Sequence, residues 1–148
     1  TLATFSHPNI VQVFDVGIED EVFYFTMEAV PGQTLKDLLL GQGKVPVEVG
    51  LNLMKQALRG LERAARAGVI HRDIKPGNLM VTDEGVLKIA DFGLAEHVDP
   101  ESGRLESAQI VGTPLYVSPE QIRGRDVSSR ADQYSLGATF YHLIVGAP

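Results

Sequence analysis

Four residues with complementary chemistry lie close together in this chain: Asp73, Lys75, Asn78 and Asp91. Asn78 and Asp91 offer hard oxygen ligands suited to Mg²⁺. That cation takes few protein ligands and fills its remaining positions with phosphates and water. Lys75 is a compact point charge able to neutralise a phosphoryl group in transfer. Asp73 is a carboxylate left free to accept a proton. Metal, cation and base together describe phosphoryl transfer from a nucleotide to a hydroxyl.

These residues need elements to bring them together. Asp73, Lys75 and Asn78 share the loop His71-Arg72-Asp73-Ile74-Lys75-Pro76-Gly77-Asn78, and Asp91 opens Asp91-Phe92-Gly93. Between the loops, Leu79-Met80-Val81 and Val86-Leu87-Lys88-Ile89 flank Thr82-Asp83-Glu84-Gly85. Two short apolar runs around an Asp/Gly turn predict a β-hairpin. A hairpin folds back, so its start at Asn78 and its end at Asp91 meet at one edge. The tripeptide Asp91-Phe92-Gly93 is weak evidence alone. Its force comes from lying 13 residues after Asn78 across that hairpin.

With these residues in view, the chain resembles the protein kinase family. The loop 71–78, the tripeptide 91–93 and the downstream Ser118-Pro119-Glu120 match its ordered motifs, with Ser in place of the usual Ala at 118. Lys75 with Thr113 resembles the serine/threonine branch, and the wording is similar to bacterial, eukaryotic-like kinases. The resemblance covers nearly the whole chain. It implies an α+β, protein-kinase-like fold: the end of a small β lobe plus the helical first half of a large lobe. In that frame residues 1–28 end the small lobe, 29–33 form a hinge, and 34–148 run through the large lobe to its F helix.

The resemblance also implies roles. Asp73 orients the acceptor hydroxyl, Lys75 steadies the transferred phosphate, and Asn78 and Asp91 hold Mg. Thr113 helps to set the hydroxyl, and Leu115-Tyr116-Val117 contact the residue after the acceptor. ATP would sit against the backbone of Glu28 and Val30, with Met27 as gatekeeper and Met80 under the adenine. Plain core packing is the alternative role for both methionines. His71 would pack on Phe92 rather than act in catalysis. Asp132 would accept hydrogen bonds from the backbone near His71 and Arg72. Arg72 would pair with a phosphate on Ser107 in the activation segment. One departure stands out: Glu96 occupies a place where relatives often carry a base, and an acid there repels phosphate.

The expected function is therefore an ATP- and Mg-dependent serine/threonine kinase catalytic segment acting on protein substrates. A noncatalytic kinase-like binding or scaffold domain is the alternative. Small-molecule phosphotransferases are a third class; they share the catalytic Asp and Asn but lack the full wording of residues 71–78 and 112–120. No Gly-rich phosphate loop and no V-A-I-K-like strand lysine occur in residues 1–148. The segment is expected to be the middle of a kinase domain and to be inactive on its own.

The bulk composition agrees. The 148 residues, 44% hydrophobic and 22% charged, suit one domain with a real core. A net charge of −6 argues against nonspecific nucleic-acid binding. No cysteine is present, so there is no disulfide framework, and a cytoplasmic location is the expectation. No apolar run reaches membrane-span length, so no membrane contact is expected within the segment. Oligomeric state has no signature here.

Along the chain, Thr1 to Phe5 read as the tail of a helix. Ile10–Phe14 and Val22–Met27 read as a hairpin, turned at Gly17 and the acidic run 19–21. Thr34 with Asp37 predicts a capping box opening a short helix to Leu40. Pro46 opens a long helix whose stripe is Val47, Leu51, Met54, Leu58, Leu61 and Ala65, closed at Gly68. Val69-Ile70 reads as a short strand. Residues 94–117 read as a long loop. From Ser129 to Val145 a helix apolar on every face is expected to be buried, capped by Ser128 or Ser129 and ended by Gly146.

Overall fold

The computed structural model describes residues 6–20, 22–92 and 114–148. The expected helix tail at 1–5 and nearly all of the expected loop at 94–117 lie outside them. At the end of that loop, Pro114–Tyr116 form a 3₁₀ turn.

The aromatic and β-branched residues of the N-terminal region form an antiparallel ribbon, β1 (Val13–Glu19) with β2 (Val22–Met27). The first strand starts later than expected. Ile10 and Val11 are buried and pair instead with the large sheet: Ile10 bridges to Ile89, and Val11 N donates to Ile89 O at 2.9 Å. Gly17 is not in the turn but inside β1, opposite Tyr24. A Cβ there would stand 2.6 Å from the Tyr24 ring, so glycine makes room for it. Asp20, at φ +49°, starts the reversal.

The expected second hairpin is present as β4 (Leu79–Thr82) and β5 (Leu87–Ile89). A third strand, β3 (Gly32–Thr34), adds to it antiparallel, giving the order β3-β4-β5. Residues 32–33, expected as hinge, thus belong to this sheet. The approach is close enough that a Cβ on Gly32 would lie 2.0 Å from Val81 O.

Thr34 ends β3 and caps α1 (Leu35–Gln42). Thr34 Oγ1 accepts from Asp37 N at 3.1 Å, and Asp37 Oδ2 accepts from Thr34 N at 3.1 Å. The Thr34 hydroxyl also donates to Asp37 Oδ2 at 2.6 Å, and this bond, followed by that from the Thr34 amide, holds the Asp37 carboxyl below its ordinary range. The helix runs two residues past Leu40 and ends at Gly43, whose N–H returns to Leu39 O.

Helix α2 (Val47–Arg66) begins after Pro46 as expected, but its buried face is different. Gly50, Leu53, Ala57, Gly60, Leu61 and Ala64 are inside; Val47, Leu51 and Leu58 are exposed. The contact is made by small residues because neighbouring backbone comes close. A Cβ on Gly60 would meet Ile89 Cδ1 at 2.9 Å and Asn9 O at 3.0 Å. Glycine's helix penalty of about 1 kcal/mol is thus the cost of a close crossing. Val69-Ile70 form no strand: Val69 N donates to Ala64 O at 3.0 Å and so completes the end of α2.

A short helix α3 (Pro119–Ile122) precedes α4 (Ser129–Val145), which is capped by Ser128 and closed by left-handed Gly146. Helix α4 is not buried all round. Ala131, Asp132, Ser135, Leu136, Thr139 and Leu143 are inside, whereas Tyr134, Tyr141 and Val145 are exposed. Among the described residues, α2 and the Pro114–Tyr116 turn are its main packing partners.

The core joins Leu53, Ala57 and Leu61 of α2 to Ile74, Leu79, Leu87, Ile89 and Phe92, with Leu136 and Leu143 of α4. Each fully buried aliphatic side chain contributes about 1.5–3 kcal/mol. Ile74 and Phe92 lie within the loop 71–78 and the tripeptide at 91, and Leu79 and Ile89 lie beside them, so the core and the candidate site share a wall. No helix among the described residues is long and apolar enough to cross a membrane.

Candidate active site

The loop after α2 is held from below by one buried carboxylate. Asp132 on α4, 3% exposed, accepts from His71 N through Oδ2 at 2.9 Å and from Arg72 N through Oδ1 at 2.8 Å. Such donors are what make a buried carboxylate tolerable. The chain then reverses through Arg72 at φ +68°.

His71 fastens the other side of the loop. Its ring meets Phe92 edge-on, with centroids 4.6 Å apart. Nε2 lies 2.8 Å from Ala90 O and Nδ1 accepts from Asp73 N at 3.2 Å. A carbonyl partner requires Nε2–H, and an amide partner requires a bare Nδ1. The imidazole is therefore neutral. Burial pushes its pKa below the ordinary 6.5, opposed by the Ala90 carbonyl and by the nearby carboxylates of Asp132, Asp73 and Asp91. It is a strut with both nitrogens occupied.

Asp73 then projects to the surface, about half exposed. Its Oδ2 accepts from Lys75 Nζ at 2.7 Å and from Asn78 Nδ2 at 2.9 Å. Asn78 Nδ2 also donates to Asp73 O at 2.8 Å, so both of its hydrogens are directed at Asp73 and Oδ1 remains as an acceptor. The 3₁₀ turn Pro76–Asn78 presents this side chain, with Asn78 N donating to Lys75 O at 3.0 Å.

The hairpin brings Asp91 to the same edge. Leu79 pairs with Ile89, and Ala90 N donates to Asn78 O at 2.9 Å. Asp91 follows, exposed, at φ +60°. Two non-glycine residues in left-handed conformation, Arg72 and Asp91, flank this small area. Such backbone costs on the order of 1–3 kcal/mol each and persists where the surroundings enforce it. No group of three or more His, Cys, Asp or Glu side chains able to hold a metal occurs among the described residues. One carboxylate and one amide oxygen fit a cation whose other ligands come from phosphates and water.

The residues expected on the nucleotide side lie at the end of β2, just after it, and on β4. Met27, 45% exposed, ends β2; Glu28 and Val30 are half-buried and follow it; Met80, half-buried, lies on β4. Thr113 and Ser107 lie outside the described residues, as does Glu96. Leu115, Tyr116 and Val117 end the 3₁₀ turn and lead into α3.

Several contacts have no precursor in the sequence reading. Glu28 Oε1 accepts from Lys88 Nζ at 2.9 Å and from Gln12 N at 2.8 Å. Gln121 Nε2 donates to Arg72 O at 2.8 Å while its Oε1 accepts from Ser118 N at 3.1 Å, which ties α3 to the loop. Tyr116 Oη lies 2.6 Å from His142 Nδ1. Asn9 Nδ2 donates to Leu87 O at 2.9 Å and to Gln56 Oε1 at 3.2 Å, pinning the N-terminal turn to α2 and β5. Partners dozens of residues apart leave no local pattern.

Comparison with known proteins agrees with this geometry. The protein kinase domain family matches residues 1–148. A probable serine/threonine-protein kinase of Clostridium perfringens is 42% identical over 145 residues, covering 98% of this chain and 21% of that protein. The serine/threonine-protein kinase PknB of Mycobacterium leprae is 36% identical over 150 residues, covering 99% of this chain and 24% of the relative. The crystal structure of Rad53 1–466 in complex with AMP-PNP superposes with a TM-score of 0.81 at 32% identity, over 98% of this chain and 36% of that one. The chain thus spans about a fifth to a quarter of the length of these curated relatives. With the family matched end to end, the chain belongs to the protein kinase family, and its curated relatives are bacterial serine/threonine-protein kinases.

Proposed function

We propose that this segment carries the catalytic loop of an ATP-dependent kinase that phosphorylates protein serine and threonine hydroxyls. The observation that carries the reading is the convergence on one oxygen: Asp73 Oδ2 meets Lys75 Nζ at 2.7 Å and Asn78 Nδ2 at 2.9 Å. Asp73 is oriented from two sides and still half exposed. It accepts the acceptor's proton as the new P–O bond forms and the bond from the γ-phosphorus to the β–γ bridging oxygen breaks, releasing ADP. Lys75 swings its charge to the phosphoryl oxygens. Asn78 Oδ1 and the Asp91 carboxylate would hold Mg²⁺, which would supply positive charge against the phosphates. Thr113 helps to set the acceptor hydroxyl. The backbone of Glu28 and Val30 reads the adenine edge, with Met27 behind it and Met80 beneath. Arg72 receives a phosphate on Ser107 as the regulatory contact. Positioning and electrostatics supply the catalysis, as phosphoryl transfer requires.

Calorimetric titration of Mg·ATP into the full-length protein tests the metal half of this reading. Asp91→Ala is expected to abolish Mg²⁺-dependent ATP affinity, because no other carboxylate in the set bridges metal and phosphates. Unchanged Mg·ATP affinity in that variant would overturn the assignment.

A further inference from the structure

The ion pair between Glu28 and Lys88 joins the end of β2 to β5, beside the backbone bonds that tie Asn9 and Val11 to Ile89. Glu28 follows the last residue of β2, while Lys88 is the middle residue of β5. Their side chains are 25% and 18% exposed, so the pair is mostly removed from water. One oxygen, Glu28 Oε1, takes both the Lys88 ammonium at 2.9 Å and the Gln12 amide at 2.8 Å. Gln12 O in turn accepts from Glu28 N at 2.9 Å. The carboxylate is thus closed into a ring with Gln12 and clamped onto β5 by the lysine.

We propose that Lys88 is a positioning residue for the nucleotide: through Glu28 it fixes the backbone after β2 relative to β5 and hence to Asp91. The inference rests on the proposed reading that Glu28 and Val30 meet the base and Asp91 the metal. Lys88 stands opposite Met80 in the ladder and three residues before Asp91. Together with the backbone bonds of Asn9 and Val11 to Ile89, the clasp therefore helps to fix the distance between the two ends of a bound nucleotide. Lys88 itself touches neither end.

The chemistry of the clasp makes the idea testable. A half-buried carboxylate that loses its cation keeps the Gln12 amide but is left as an unbalanced charge. It then seeks water, and the backbone it anchors shifts with it. Arginine can restore the charge at this place. A reversed pair cannot, because a lysine at 28 offers no acceptor to Gln12 N.

The experiment measures Mg·ATP affinity of the full-length protein by calorimetry, together with urea unfolding. Lys88→Met is expected to weaken Mg·ATP binding roughly tenfold, the size of one lost charge-assisted hydrogen bond. Its unfolding midpoint is expected to fall as well, because removing one partner leaves Glu28 as an unpaired, mostly buried charge, so affinity is read far below the midpoint, on folded protein. Lys88→Arg should recover most of the affinity, and the reversed pair E28K with K88E should not. Parent-like affinity in Lys88→Met would overturn the inference while leaving the nucleotide reading intact. Recovery by the reversed pair would also overturn it. A parent protein that binds no Mg·ATP would overturn the nucleotide reading itself.

Discussion

The loop 71–78 and the β1–β2 ribbon are both short and irregularly bounded, yet they are held in opposite ways. The loop is tied to elements far away in sequence: to α4 through Asp132, to β5 through His71 and Ala90, and to α3 through Gln121. The ribbon is tied mainly to itself. Phe14, Val16, Ile18 and Val22 stay exposed, and its clearest outside polar link is Glu28 just beyond its end. A two-stranded ribbon is marginal on its own in water. The difference teaches that order at the candidate site comes from long-range polar anchoring on a packed core, not from local propensity. The loop has little propensity of its own, and its Arg72 and the nearby Asp91 both hold left-handed backbone.

Removing the anchor should produce the largest effect. Asp132→Ala leaves the amides of His71 and Arg72 buried without their acceptor, at a cost of about 2–5 kcal/mol. Urea unfolding should show it as a large drop in midpoint. A loss as small as that of a surface substitution would mean that the loop does not depend on α4.

Acidification should give an intermediate effect. His71 is lowered by burial, and His7 and His142 are lowered in the same direction, also chiefly by burial. Above 6.5, the ordinary value, these rings are neutral in the folded and unfolded chains alike. As pH falls below it, the unfolded chain takes up protons that the folded chain refuses. Stability is thus full above 6.5 and is lost as pH falls toward and through the folded values. The urea midpoint should be lower at about pH 5.5 than at about pH 7.5. An equal or higher midpoint at the lower pH would contradict the neutral, strut-like His71.

The ribbon should give the smallest effect. Phe14, 57% exposed, tests the other side of the comparison. Phe14→Ser should shift the stability of this chain by no more than about 0.5 kcal/mol. A cost matching that of Asp132→Ala would show that the ribbon is anchored as firmly as the loop.

These contrasts also explain what was legible in the sequence. The loop 71–78, the hairpin after it and Asp91 form an ordered set of residue types, so the fold family could be read from them. The capping box of Thr34 and Asp37 was legible because it is local. The buried face of α2 was not. Its contact is built on Gly50, Ala57, Gly60 and Ala64, while Val47, Leu51 and Leu58 supply a larger apolar signal on another face. Hydrophobic periodicity finds large side chains and overlooks close crossings made by small ones. Glu28 with Lys88 and Tyr116 with His142 were illegible for a different reason. Each pair is created by tertiary packing, 60 and 26 residues apart.

The most direct test concerns Asp73 itself, in the full-length protein. Transfer of the ATP γ-phosphate to a serine/threonine acceptor protein and the affinity for Mg·ATP are measured for the parent and for Asp73→Asn. The account predicts a rate loss of about 10²–10⁴-fold with nucleotide affinity retained, because Asp73 faces the acceptor and not the nucleotide. An Asp73→Asn protein that transfers phosphate at the parent's rate would contradict it.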